Sequence, residues 1–271
     1  MNLSELRKSP HLSASAVSLY LDCSLAYKFR YLDDLEPESL SEGLVLGSAI
    51  HETLAEFYMG LMMGEKPGLE AMNRIFETHL RRKAHQDEIP IQYKPGKSLS
   101  ALLTEGKGLL AAFSSKLDVG DAAVVAVEEA GKFEVAGVPV PILYVMDLVL
   151  EDPQGVVTIV DHKTTARAYS AKDVDENFQA TVYSMAARAN GFGHRGILFR
   201  FDCLIKAKNP RFEICYTART PEDEHRAARI IKAVWDGIQK QVFVPNTGSW
   251  KCGGCGYATA CKRWLRDGYP G

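Results

Sequence analysis

Two aspartates and a lysine stand out because each interrupts an apolar run. Asp147 sits inside Tyr144-Val145-Met146-Asp147-Leu148-Val149-Leu150, where a carboxylate is costly without a partner. Fourteen residues later, Ile159-Val160-Asp161-His162-Lys163 puts a second carboxylate at the end of an apolar strand. A hairpin of this length brings Asp147 and Asp161 side by side, and Lys163, two residues beyond Asp161, faces the same way. Two carboxylates at one point repel each other unless a cation lies between them. Oxygen ligands suit a hard ion such as Mg²⁺ or Mn²⁺. A lysine beside that ion can orient or deprotonate a water, or balance negative charge on a phosphate. The combination describes metal-assisted phosphodiester hydrolysis. The same spacing also fits Asp147 as a strand-end or bulge residue and Asp161–Lys163 as an exposed pair worth little.

The elements that must position these residues follow from periodicity. Residues 1–120 read mostly helical. Leu12, Ala16, Leu19, Tyr20 and Cys23 keep helical spacing after the candidate caps Ser13 and Ser15. A second helix is expected over about 44–63, with Leu46, Ile50, Leu54, Phe57 and Leu61 in one stripe, and further helices over 69–85 and 99–117. Residues 89–97, with Pro90 and Pro95, read as a loop free to move. Segments 122–135, 138–150 and 156–160 are rich in Val and Ile and predict three strands, most simply an antiparallel meander. A helix over 172–190, strands over 196–205 and 211–217, and a helix from Thr220-Pro221 to about 241 complete the pattern. The expected fold is α/β: a mixed central sheet flanked by helices, a helical N-terminal region and a cysteine-rich tail.

Composition sets the outer bounds. The 271 residues carry 46% apolar side chains and a net charge of −2. These values describe an ordinary globular chain and exclude disorder and a passive basic nucleic-acid binder. No apolar run approaches the length of a membrane span, and the N-terminus lacks the apolar core of a secretory signal. The expected place is the cytosol, where clustered cysteines imply metal before disulfide.

Fainter signals surround the acidic pair. His51 borders the stripe of the second helix and reads either as a core histidine or as a ligand. Gln179 and Tyr183, four apart, share one face of the helix after the lysine. Glu128 and Glu129 both lie on the first strand, and alternation alone does not choose between them. Cys252, Cys255 and Cys261 form a compact triad in the tail and need a fourth partner. Cys203 and Cys215 fall in strands and read as buried small hydrophobes, leaving Cys23. Lys251, Lys262, Arg263 and Arg266, interleaved with Trp250, Tyr257 and Trp264 and joined by Lys206, Lys208 and Arg211, outline a stacking and phosphate-tracking surface.

Asp147 followed by Asp161-x-Lys163 resembles the PD-(D/E)XK nuclease signature, and Val160-Asp161-His162-Lys163-Thr164-Thr165 resembles its RecB-type form. Gly47-x-x-x-His51 and Gln179-x-x-x-Tyr183 are similar to two further motifs of those nucleases. The resemblance implies metal ligation by His51, Asp147, Asp161 and the Val160 carbonyl, catalysis through Asp147, Asp161 and Lys163, and strand positioning by Gln179 and Tyr183. Cys23, Cys252, Cys255 and Cys261, in that order, resemble the ligands of a 4Fe–4S cluster. They point to the branch with the CRISPR-associated exonuclease, AddB-type recombination nucleases and helicase-linked Fe–S nucleases. A four-thiolate zinc site is the competing reading, and the lone distant Cys23 fits it poorly. Two departures are visible: Tyr144 stands where many relatives carry glycine, and Ser24 follows Cys23 where proline is usual.

The implied protein is a Mg²⁺- or Mn²⁺-dependent DNA exonuclease acting on single strands or ends. The alternative is a weakly active or inactive nuclease-like subunit of a repair, recombination or CRISPR-adaptation complex. A cluster drawing ligands from both ends favours one domain over 1–271, with a mainly helical region over 1–120, a nuclease core over 121–241 and a cluster tail over 242–271.

Overall fold

The computed structural model describes residues 3–86, 89–118 and 120–268, so residues 269–271 of the expected tail lie outside the described residues. In chain order come α1 (Leu3–Leu6), β1 (Leu12–Ser13), α2 (Ala14–Asp22), α3 (Ser24–Tyr31), β2 (Leu40–Ser41), α4 (Glu42–Met62), α5 (Leu69–Gln86), β3 (Ile91–Gln92) and α6 (Leu99–Lys116). The central region is β4 (Ala123–Phe133), β5 (Ile142–Glu151), β6 (Val157–Thr165), α7 (Ala171–Asp175), α8 (Phe178–Ala187), β7 (Ile197–Ile205) and β8 (Arg211–Thr217). The chain then runs through α9 (Pro221–Gln239) to α10 (Ala258–Asp267).

β4, β5 and β6 form the expected antiparallel meander. α7 and α8 carry the chain across to β7, which pairs parallel with β6, and β8 returns antiparallel. The sheet is therefore mixed. On one face Ile142, Met146, Ile159, Phe199 and Phe201 pack with Val17 of α2, Val182 of α8 and Ile231 of α9. On the other, Leu148, Leu150, Val160 and Leu204 pack with Ile50, Leu54, Phe76, Leu109 and Phe113 of α4, α5 and α6. Residues 69–117, which carry no motif, thus supply the layer that fixes α4 against the sheet.

The helix starts obey capping chemistry. Ser13 accepts from Ala16 N at 3.1 Å, Ser41 from Leu44 N at 3.2 Å and Ser98 from Ala101 N at 3.2 Å. Thr220 and Asp223 form a reciprocal capping box with Pro221 in the first turn of α9.

Four expectations need correction. β5 begins at Ile142, not at 138, because Pro139 and Pro141 lack the N–H that a ladder requires. β6 continues to Thr165, since its parallel pairing with β7 persists through Thr165–Ile205 after the apolar run ends. The helix expected over 172–190 is two, because the Asn177 side chain caps a new helix by accepting from Ala180 N at 3.0 Å. The loop over 89–97 is tied down: Ile91 pairs with Leu40, and Glu42 Oε2 accepts from Lys94 N at 3.1 Å.

Packing of α5 on α6 depends on a glycine. A Cβ at Gly106 would fall 2.0 Å from Phe76 Cζ, and Phe76 is fully buried. Gly106→Ala gains helix propensity of about 1 kcal/mol but overpacks this contact at a cost of about 1–3 kcal/mol. Urea unfolding should show net destabilisation, and Phe76→Leu in the same chain should recover some of it.

Candidate active site

The two aspartates meet where the sheet opens. The last pair between β5 and β6 is Leu148–Val160, so the next residue on each strand is Asp147 and Asp161. β1 pairs with β5 farther along, at Ile142 and Leu143, leaving Asp147 in the gap between the two partners. A backbone donor fills the broken ladder: His162 N–H donates to Asp147 Oδ2 at 2.9 Å. The same oxygen lies 3.2 Å from His51 Nδ1 on α4. One turn earlier, a Cβ at Gly47 would stand 3.1 Å from Thr164 Oγ1, so glycine lets α4 approach β6 at the level of the acids.

Asp161 is 1% exposed and sits in a closed ring. Lys163 Nζ lies 2.7 Å from Asp161 Oδ2, Gln179 Nε2 donates to Asp161 Oδ1 at 2.8 Å, and Lys163 Nζ donates to Gln179 Oε1 at 2.8 Å. The Lys163–Asp161 contact is a close ion pair. Tyr183, one turn after Gln179, is half-buried beside Phe199 at a ring separation of 6.3 Å. Its hydroxyl pKa is raised, by burial first and then by the charges of Asp161 and Asp147.

Electrostatics separates the two acids. Burial opposes ionisation of Asp147, but the His51 hydrogen bond and charge outweigh it and hold its carboxyl down to about 2. Asp161 is raised, because burial outweighs its attraction to Lys163 and Asp147 adds repulsion. Burial also opposes the charge on Lys163, and the facing Asp161 reverses that and raises its pKa.

A buried polar stack behind the site escaped the sequence reading. His162 stacks on Tyr58 of α4 at 5.6 Å with planes 10° apart, and its ring lies 3.7 Å from Asp202 of β7. Asp202 is paired in turn with Arg200 at 2.7 Å. Burial drives the His162 pKa down to about 3, so its ring is neutral. His162 serves the site through its backbone N–H, and the stack holds that backbone.

The open choice between the two glutamates is resolved by neighbours. Glu129 lines a separate cavity of about 410 Å³ with Tyr144, Lys132 and Asn190. Glu128 is electrostatically coupled to Asp147 and His51 instead, and its carboxyl is pushed up to about 7 by reduced hydration and the Asp147 charge. Tyr144 is accommodated through a reciprocal exchange. It pairs with Gly131 on β4, where a Cβ would meet its hydroxyl at 2.3 Å. The small residue stands on the neighbouring strand.

The donor chemistry at His51, Asp147 and Asp161 suits a hard divalent ion. Among the described residues no three His, Cys, Asp or Glu side chains converge on one ion-sized point. Here the reason is visible: Asp161 is turned toward Lys163 and Gln179, and Asp147 toward His51. The donors stand on neighbouring positions, each engaged by another partner.

In the region where the tail meets α2 and α3, four thiols border one cavity. Cys23, Cys252, Cys255 and Cys261 line a space of about 210 Å³ with Leu25, Phe29 and Tyr257. The Cys261 thiol pKa is raised, by burial first and then by Cys23, Cys255 and Cys252. Cys203 is fully buried, as expected, whereas Cys215 is only half-buried. The aromatic surface is narrower than expected. Trp250 is 87% exposed with Lys251 over its ring, but Tyr257 packs on Phe29 at 6.0 Å and Trp264 turns against the core. Lys206 is half-buried, with its Nζ near Gly43.

An antiparallel meander continued by a parallel crossover, with helices on both faces, defines an α/β fold of the nuclease type. The chain belongs to the PD-(D/E)XK nuclease superfamily, whose family model matches residues 11–262. Among solved structures, a protein named "putative exonuclease" from Eubacterium rectale superposes with a TM-score of 0.52 at 15% identity, covering 84% of this chain and 82% of that one. The protein SSO0001 covers 92% of this chain and 94% of its own at 14% identity, with a TM-score of 0.37 that adds no weight. Comparison with curated proteins gives no match. Among the described residues no helix is long and apolar enough to cross a membrane.

Proposed function

We propose that the chain is a Mg²⁺- or Mn²⁺-dependent DNA exonuclease that acts on single strands or frayed ends. The observation that carries this reading is the break in the β5–β6 ladder that sets Asp147 beside Asp161, with Lys163 and His51 within ion-pair distance of them. His51, Asp147 and Asp161 would hold the ion, with the Val160 carbonyl as a further donor. Once bound, the ion supplies an activated water and a Lewis acid at the phosphate. Lys163, steadied by Asp161 and Gln179, orients the attacking water and balances charge developing on the phosphate. Gln179 and Tyr183 position the strand from α8. Hydrolysis then breaks the bond to the 3′ oxygen and leaves 5′-phosphate ends.

The four thiols border one cavity, which supports a shared metal group, and their order along the chain resembles that of 4Fe–4S ligands, so the group is read as a structural cluster. Such a cluster needs a reducing compartment during assembly, and the cytosol offers one. A setting in repair, recombination or CRISPR adaptation rests on the motif resemblance alone.

The test is cleavage of end-labelled single strands by anaerobically purified protein with Mg²⁺, Mn²⁺ or chelator. Cleavage should need the metal and fall by about 10²–10⁴-fold in Asp161→Ala and in Lys163→Ala. Metal-dependent cleavage unchanged in both variants would falsify the assignment.

A further inference from the structure

Glu128 stands apart from the residues assigned so far, and its backbone is unusual. It adopts φ +51° within β4, the left-handed region that side chains rarely occupy. The register explains where this places it. Val127 pairs with Leu148 and Glu129 with Met146, so Glu128 stands opposite Asp147 at a step where the regular pairing lapses. Asp147 and Asp161 face each other across the next gap, just beyond Leu148–Val160. Glu128, Asp147 and Asp161 therefore occupy one level of three adjacent strands, which in a sheet lie about 4.8 Å apart.

Among the described residues no hydrogen bond or ion pair engages the Glu128 carboxylate; its neighbours are Asp147, His51 and Glu52. Glu52 is itself taken up by Lys83 at 2.8 Å and Arg82 at 2.6 Å. Glu128 is exposed, so solvent and ions reach it. A strained backbone that delivers an unengaged carboxylate next to two others works against folding in two ways at once. A cation removes the repulsion and gives the strain a use.

We propose that Glu128 is a third carboxylate of the metal site, contributing an oxygen to the divalent ion from the β4 side. The inference rests on the metal-dependent reading above. Glu129, the next residue, faces the other side of the sheet and lines the cavity beside Tyr144.

Calorimetric titration of Mn²⁺ into the anaerobically purified chain, without DNA, tests this in wild type, Glu128→Gln, Glu128→Gly and Asp147→Asn, with melting curves in chelator. Glu128→Gln and Glu128→Gly should each weaken Mn²⁺ binding by about 10–100-fold. Glu128→Gly should hold or raise its melting midpoint, because glycine accepts the left-handed backbone; at an ordinary strand position it would lose about 2–4 °C. Wild-type affinity in both Glu128 variants, with binding lost in Asp147→Asn, overturns the role of Glu128 and leaves the metal site standing. No Mn²⁺ binding by the wild-type chain overturns both.

Discussion

Lys163→Met destabilises the chain by about 3–5 kcal/mol at pH 7 in chelator and abolishes cleavage when metal is restored. The stability loss follows from burial. Asp161 is 1% exposed, and the Lys163 ammonium 2.7 Å away is the cation that faces it. Gln179 donates one hydrogen bond to Asp161 and carries no charge. Methionine fills much of the volume of lysine and leaves a buried carboxylate without a counter-charge, the costly way to break such a pair. Removing both charges is far cheaper, so Lys163→Met with Asp161→Asn should recover most of the stability and none of the activity.

The pH dependence has a definite sign. Asp161 is already raised in the folded chain, chiefly by burial, and loss of Lys163 raises it further. A carboxyl raised above its unfolded value binds its proton more tightly in the folded state. Its contribution is complete below the unfolded pKa, near 4, and is lost as pH rises through the folded value. The gap between Lys163→Met and wild type should thus be small near pH 4 and widen toward pH 7. Asp147 is present in both chains and is held low chiefly by His51, which the substitution leaves in place. Urea unfolding at a series of pH values reads this directly. A gap that stays constant with pH means that Asp161 does not depend on Lys163 for its charge.

The acids were legible because a charge inside an apolar strand is conspicuous, and the meander because Gly137 and the Asp152–Gly155 turn punctuate Val-rich runs. What stayed hidden depends on register. Alternation puts Glu128 and Glu129 on opposite faces but does not say which face carries the acids until β4 is laid in register on β5, with Glu128 at the level of Asp147. Tyr58, His162, Arg200 and Asp202 are dispersed along the chain and meet only when α4, β6 and β7 are laid together. No local pattern announces such a stack. The tail illustrates the opposite error. Tyr257 and Trp264 sit in a basic segment and read as surface aromatics, yet Phe29 and the core on α2–α3 claim their apolar faces. Composition placed them correctly near charge, and packing decided which way they turn.

Cys23→Ser should lower the melting midpoint by about 8–16 °C and remove the brown colour expected of anaerobically purified wild-type protein. A group held by the folded chain alone stabilises it by its binding free energy, about 4 kcal/mol when the group is present at a thousandfold over its dissociation constant. For a chain of this size each kcal/mol shifts the midpoint by about 2–4 °C. The protein contacts that remain are modest. Glu38 N donates to Gly256 O at 2.7 Å, and Glu38 Oε2 accepts from Thr259 Oγ1 at 2.9 Å. Leu25 N reaches Val244 O at 3.3 Å, and Tyr257 lies on Phe29. Most of these are exposed hydrogen bonds worth about 1 kcal/mol each. They hold the tail against α2 and α3 without making it rigid, so limited proteolysis of Cys23→Ser should cut first between Val244 and Asp267. The acids and Lys163 stand on β5 and β6, whose ladder and whose core face toward α4–α6 include none of the four thiols. Cleavage by the variant at low temperature should therefore persist and fail on warming. Colourless wild-type protein with one bound zinc would replace the cluster by a zinc site, and an unchanged midpoint in Cys23→Ser would remove Cys23 from either.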